Sequence, residues 1–126
     1  MINDDIRPVY FLSDSTGITA ETLGNTLLTQ FPANHFDRIT VPFITTVEQA
    51  RTVVGTIDKL AATGPRPIVF STAVSSDIRQ AIATCQGIIV DLIGTHVGQL
   101  EQALGSPASA VPGRAHGLGN AERYQS

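Results

Sequence analysis

Short apolar runs alternate with apolar stripes at helical spacing along the 126-residue chain. Val9 to Leu12, following Pro8, reads as a buried strand. From Ile18 the period changes: Ala20, Leu23, Leu27 and Phe31 recur at helical spacing, and Pro32 ends that helix. Glu21 in its first turn suits the positive end of the helix dipole. Phe36, Ile39, Val41 and Phe43 predict a second strand, with Pro42 near its end. Thr45 and Glu48 have the spacing of a capping box that opens a second helix. Ala50, Val53, Val54, Ile57, Leu60 and Ala61 line one face of it, and the ATGPRP stretch stops it.

A third strand is predicted over Ile68 to Phe70, and a third helix follows, capped by Ser75 or Ser76, with Asp77 in its first turn. Its stripe is Ile78, Ala81, Ile82 and Cys85, and Gly87 ends it. The next run reads as a short strand, Ile88 to Val90, then a helix capped by Asp91 with its stripe on Ile93, Val97, Leu100 and Leu104. Gly105 and Pro107 end that helix.

The βαβαβαβα order with short apolar strands predicts an α/β domain, an open parallel sheet of about four strands with helices on both faces. By analogy with flavodoxin-like and Rossmann-like folds, the expected strand order is 2-1-3-4. Residues 1–105 form this domain. Residues 106–126 hold prolines, glycines and few large apolar residues, and read as an extended tail or linker toward a further domain. The polar stretch at the end suggests a piece of something longer or a frayed natural tail.

Composition narrows the class. Apolar residues make up 42% and charged residues 15%, which marks a folded chain rather than a disordered one. The net charge of −3 and the lack of a basic run argue against duplex nucleic acid as a partner. No apolar run approaches the ~18 residues of a membrane span. The acidic, polar N-terminus is unlike a secretory signal. One cysteine, Cys85, excludes a disulfide within the chain and is consistent with a reducing cytoplasm. On the third helix's stripe, Cys85 reads as a small core residue.

In an open parallel sheet, ligands bind beyond the carboxyl ends of the strands, where strand order reverses. With order 2-1-3-4 that crevice lies between strands 1 and 3. Ser13, Asp14, Ser15, Thr16 and Gly17 form one wall, Ser71 and Thr72 the other. Two helix N-termini point at the same opening, and helix N-termini attract anions. A phosphate-bearing group is the natural ligand class. Ser, Thr, Asp and Gly are also ordinary turn and cap residues, so plain capping is the competing reading. A phosphoryl-accepting receiver domain would need acidic residues where Ser71 and Thr72 stand. Neither G-x-G-x-x-G nor G-x-x-x-x-G-K-[ST] occurs. His35, His96 and His116 show no metal-ligand spacing with one another or with Cys85, so no metal site is expected. His35 and His96 read as surface residues. Arg114 and His116 stand in GRAHGLG, where function and bland linker weigh equally. Asp91 is a helix cap or a crevice residue.

The segments VYFLSDSTGITAETLG, ITVPFI, RPIVFSTAVSSDIR and GRAHGL, in this order, closely resemble the N-terminal half of one bacterial family. These are the phosphoenolpyruvate synthase regulatory proteins and their relatives, the pyruvate, phosphate dikinase regulatory proteins. The resemblance implies a bifunctional serine/threonine kinase and pyrophosphorylase. It would phosphorylate a threonine of its target enzyme with ADP as donor, inactivating it, and remove that phosphate with inorganic phosphate, releasing pyrophosphate. The family's nucleotide-binding P-loop lies in the C-terminal half, and no residue here matches it. The segment alone is therefore expected to be inactive. On this reading Ser13, Ser15, Thr16, Gly17, Ser71 and Thr72 hold inorganic phosphate or the target's phosphothreonine. Asp14 orients or deprotonates an attacking oxygen, and Arg114 and His116 close over the site. The competing expectation is a docking or dimerisation module that recognises the target while the other half does the chemistry.

Overall fold

The computed structural model describes residues 6–108. Arg114 and His116 lie outside the described residues, as does most of the expected tail. The element order is β1 (Ile6–Leu12), α1 (Ile18–Leu28), β2 (His35–Val41), α2 (Val47–Thr63), β3 (Ile68–Ser71), α3 (Ser76–Ala83), β4 (Ile88–Asp91) and α4 (Gly94–Leu104). The four strands form one parallel sheet, as the alternation of elements predicts, in the order β2-β1-β3-β4 expected by analogy with flavodoxin-like folds.

The register aligns the carboxyl ends of the strands. Leu12 lies opposite both Val41 and Ser71, and Ser71 lies opposite Asp91. Each strand therefore delivers its following loop to the same edge of the sheet. Side chains alternate across β1. Tyr10 and Leu12 join a core with Ile44, Val54 and Ile57 of the β2–α2 connection and α2, and with Ile78 and Ile82 of α3. Val9 and Phe11 face the other way and pack with Phe70, Ala20 and Leu28. With both faces covered, β1 and β3 read as continuous apolar runs rather than alternating ones.

α2 and α3 bury the faces their spacing predicts: Ala50, Val54 and Ile57 on one, Ile78 and Ile82 on the other, with Cys85 just beyond. α1 does not. It buries Ala20, Gly24 and Leu28, whereas Leu23, Leu27 and Phe31 are 42–57% exposed. The reason is a close approach. Phe11 and Phe70 stack with ring centroids 5.7 Å apart, and a Cβ on Gly24 would stand 2.5 Å from Phe11 and 2.9 Å from Phe70. A glycine lets the helix backbone rest on that aromatic pair, which turns the larger residues outward. α4 also departs from its predicted stripe. None of its residues is buried, and Leu100 and Leu104 are 56% and 72% exposed.

Three boundaries also shift. The capping box of α2 is Thr46 with Gln49, not Thr45 with Glu48: the Gln49 N–H donates to Thr46 Oγ1, and Gln49 Oε1 accepts from the Thr46 N–H. Gln49 Oε1 accepts from the Thr45 N–H as well, so one amide serves two free donors of the helix entry. β2 ends at Val41, before Phe43. Asp91 is the last residue of β4, and Ile93 stands at the N-cap of α4; Asp91 Oδ1 still accepts from the N–H groups of Ile93 and Gly94. Among the described residues, no helix is long and apolar enough to cross a membrane.

Candidate functional site

Ser13, Asp14, Ser71 and Thr72 are the buried polar or charged side chains of the described residues, and all four sit at the carboxyl ends of β1 and β3. Burying such groups is unfavourable unless each finds a partner. The loops supply those partners. The Ser15 N–H donates to Ser13 Oγ at 2.9 Å, and the Ala73 N–H donates to Ser71 Oγ at 3.2 Å. Each serine thus turns its own chain two residues on, and the two walls repeat one device. A serine hydroxyl that accepts such a bond keeps its proton to donate.

Asp14 links the walls. Its Oδ2 accepts from the Val74 N–H at 2.9 Å, across 60 residues of chain, while the Thr72 N–H donates to the Leu12 carbonyl at 3.1 Å. One oxygen of the carboxylate is thus committed to holding the β3–α3 loop. Any proton that Asp14 takes from a ligand goes to the other.

Gly17 closes the first wall at the N-cap of α1. Its φ of +91° lies in the left-handed region, and a Cβ there would stand 2.9 Å from Thr40 Cγ2. Behind it the Thr40 hydroxyl donates to Glu21 Oε2, fixing the first turn of α1 against β2. Ser15 is half-buried and Thr16 exposed. Neither α1 nor α3 has a side-chain hydrogen bond at its N-cap, in contrast to the full capping box of α2. At α1 the Ile18 N–H donates to Thr16 Oγ1 at 3.5 Å, whereas the N-cap side chain of α3, Ser75, makes no such bond; both helices begin at the crevice, and helix N-termini suit an anion.

The outer wall carries a cation. Arg79 of α3 donates through Nε and Nη2 to Asp91 Oδ2, at 3.2 and 3.0 Å. With both its oxygens engaged, Asp91 acts as a turn and ion-pair residue. The pair is partly exposed and contributes at most about 1 kcal/mol to stability.

Sequence reasoning missed two participants. The Val74 N–H carries no side-chain signal at all. The apolar pattern predicts Phe43 in β2; instead it has φ +58° and is 57% exposed. Its N–H donates to the Ser15 carbonyl at 2.8 Å, and the Ile44 N–H donates to the Ser13 carbonyl at 2.9 Å. A bulky residue in the left-handed region costs roughly 1–3 kcal/mol, so these two bonds to the first wall impose the conformation. The nearest sequence signal is Pro42, which disfavours continuing a strand. His35 and His96 are exposed. Among the described residues, no group of three or more His, Cys, Asp or Glu could hold a metal ion.

A profile of the kinase/pyrophosphorylase family matches residues 9–126. Candidate phosphoenolpyruvate synthase regulatory proteins, so named, are similar over 94% of the chain. The Marinobacter nauticus protein is 44% identical over 120 residues. Those of Pseudomonas fluorescens and Bordetella pertussis are each 45% identical, over 119 and 120 residues. The chain spans 44% of the length of each of these relatives.

Proposed function

The chain belongs to the kinase/pyrophosphorylase family, and from that premise we propose that it is the amino-terminal part of a bifunctional regulator of phosphoenolpyruvate synthase, or of the related pyruvate, phosphate dikinase. In one direction a threonine hydroxyl of the target attacks the β-phosphorus of ADP. The new O–P bond forms as the bond to the bridging oxygen breaks, AMP leaves, and the threonine proton passes to a base. In the other direction an oxygen of inorganic phosphate attacks the phosphothreonine phosphorus. The new O–P bond makes pyrophosphate as the bond from that phosphorus to the threonine oxygen breaks, and the threonine oxygen regains a proton.

The observation that carries this reading is the latch between the walls. A carboxylate and three hydroxyls are buried together at the topological switch point, tied by the bond from the Val74 N–H to Asp14 Oδ2. Plain turns at the surface do not need a buried carboxylate. In the proposed site, Ser13, Ser15, Thr16, Gly17, Ser71 and Thr72, with the N-termini of α1 and α3, hold the phosphate-bearing group. Asp14 orients or deprotonates the attacking oxygen through its second oxygen, as a positioned carboxylate does in phosphoryl transfer. Arg114 and His116, outside the described residues, are assigned to neutralising its charge. We place nucleotide binding outside residues 1–126, in which no G-x-x-x-x-G-K-[ST] occurs, so residues 1–126 alone should transfer no phosphoryl group.

The test is phosphoryl transfer by the full-length protein, with ADP and the target in one direction and with inorganic phosphate and the phosphorylated target in the other. Ser15→Ala and Ser71→Ala should each slow both directions while leaving the fold intact. Unchanged rates in both would reduce the hydroxyls to turn-forming residues.

A second reading is favoured by the exposed Leu23, Leu27 and Phe31 of α1 and its turn, and by Leu100 and Leu104 of α4. On that reading the segment docks the target enzyme and the chemistry lies elsewhere. Capture of purified target by residues 1–126, weakened by Leu27→Glu and indifferent to Asp14→Asn, would favour it.

A further inference from the structure

Phe43 is an exposed aromatic held in a conformation that suits glycine or asparagine far better. Core packing does not explain it, because more than half of the residue faces solvent. The two hydrogen bonds that impose the conformation go to the carbonyls of Ser13 and Ser15, the residues of the proposed phosphate-facing wall. The ring is thus registered to that wall by the shortest link available, one residue of backbone. An outlier of this kind, at the rim of a candidate site and without packing to justify it, points to contact with something that arrives there.

The space beside the ring narrows what that contact is. A groove of about 260 Å³ runs between Phe43 and the first turns of α2, formed largely by Val41, Pro42, Ile44 and Val53. That is below the roughly 300–1,000 Å³ of small-molecule sites. Its polar lining is Gln49, whose Oε1 is engaged by the N–H groups of Thr45 and Thr46, and Thr52, whose hydroxyl donates to the Glu48 carbonyl at 3.1 Å. The groove therefore offers little to read the edge of a nucleobase, and its lining suits one apolar side chain.

We propose that Phe43 and the groove beside it form a polypeptide-reading subsite, which takes an apolar side chain flanking the threonine that is phosphorylated or dephosphorylated at the Ser13–Gly17 wall. This rests on the proposed phosphoryl-transfer function and adds the substrate feature it recognises. A peptide threonine cannot reach the crevice without its neighbours crossing the rim, and Phe43 stands on that rim. The ring acts on binding of the protein substrate and takes no part in the bond changes.

The test uses the full-length protein with Phe43→Gly and Phe43→Leu. Glycine removes the ring and accepts φ +58° without strain, so that variant should fold with unchanged or greater resistance to denaturant. Its KM for the target enzyme should rise about tenfold or more, with KM for ADP and for inorganic phosphate unchanged. Leucine, which retains apolar bulk, should restore part of the loss. Replacement of the apolar residues flanking the target threonine by Ser should raise KM for the unsubstituted protein and leave the glycine variant indifferent. An unchanged KM for the target in Phe43→Gly overturns the subsite. A rise in KM for ADP alone assigns the ring to the nucleobase instead. A fall in stability with all kinetic constants altered makes it a packing residue. If the unsubstituted protein transfers no phosphoryl group, the function itself has failed and the subsite with it.

Discussion

The two ends of the parallel sheet are held together in different ways. At the amino end, long exposed side chains reach over the strand entries. Arg66 donates to the Gln86 and Gly87 carbonyls at 3.0 and 3.3 Å, Arg7 donates to the Arg66 carbonyl at 2.5 Å, and Asp58 Oδ1 accepts from the Gln86 N–H at 2.7 Å. At the carboxyl end, short polar side chains are buried among the loops they turn, and a carboxylate crosses from one loop to the other. Exposed bonds of the first kind exchange easily with water and contribute little. Bonds of the second kind, buried or partly buried and made to buried side chains, cost more to leave unmade, and they fix geometry. The contrast separates an end that only connects strands from an end built to hold groups in place.

Substitutions at the two ends should therefore differ in kind. The largest effect on stability is expected for Asp14→Ala, which leaves the partly buried Val74 N–H without its acceptor and should cost about 1–3 kcal/mol in chemical denaturation. Gly17→Ala follows, at about 1–2 kcal/mol from the left-handed backbone, with a further increment if Thr40 cannot move away from the new methyl group. At the opposite end, Arg66→Ala should cost at most about 1 kcal/mol and leave transfer rates of the full-length protein unchanged. If Arg66→Ala lowers those rates as strongly as substitutions at Asp14, the contrast between the ends is broken.

The smallest effect concerns Cys85, buried beneath α3, whose thiol burial pushes up from its ordinary value. Its alkylation at neutral pH should be slow until the protein is unfolded. In the unfolded chain the thiol ionises first, so the folded state holds the proton longer. Stability should therefore fall slightly as pH rises from the ordinary thiol value toward the raised one. Cys85→Ala should reduce that slope, leaving the part due to Tyr10, whose phenol burial also pushes up.

Much of this was legible in the sequence where side-chain size and burial agree. The apolar faces of α2 and α3 follow their spacing because large residues fill the core there. The face of α1 was misread for the opposite reason. Its contact is made by Leu28 together with Ala20 and Gly24, whose smallness permits approach to Phe11 and Phe70, and small residues carry little weight in an apolar pattern. The walls of the crevice were legible as clusters of hydroxyls at two strand ends. The division of labour within them was not. Ser13 and Ser71 turn their own chains, and Asp14 reaches a backbone N–H whose place depends on the strand pairing. The left-handed turn at Phe43 was hidden as well, since a phenylalanine after a proline continues an apolar run on paper.

The central claim is that Asp14 both latches the walls and serves phosphoryl transfer, and Asp14→Asn in the full-length protein separates the two roles. The asparagine carbonyl oxygen still accepts from the Val74 N–H, so the unfolding transition should stay near that of the unsubstituted protein while Asp14→Ala shifts. With the negative charge gone, rates should fall by about 10²–10⁴ in both directions. An asparagine variant that is stable and transfers phosphoryl groups at unsubstituted rates both ways would contradict the claim and leave Asp14 a latch alone.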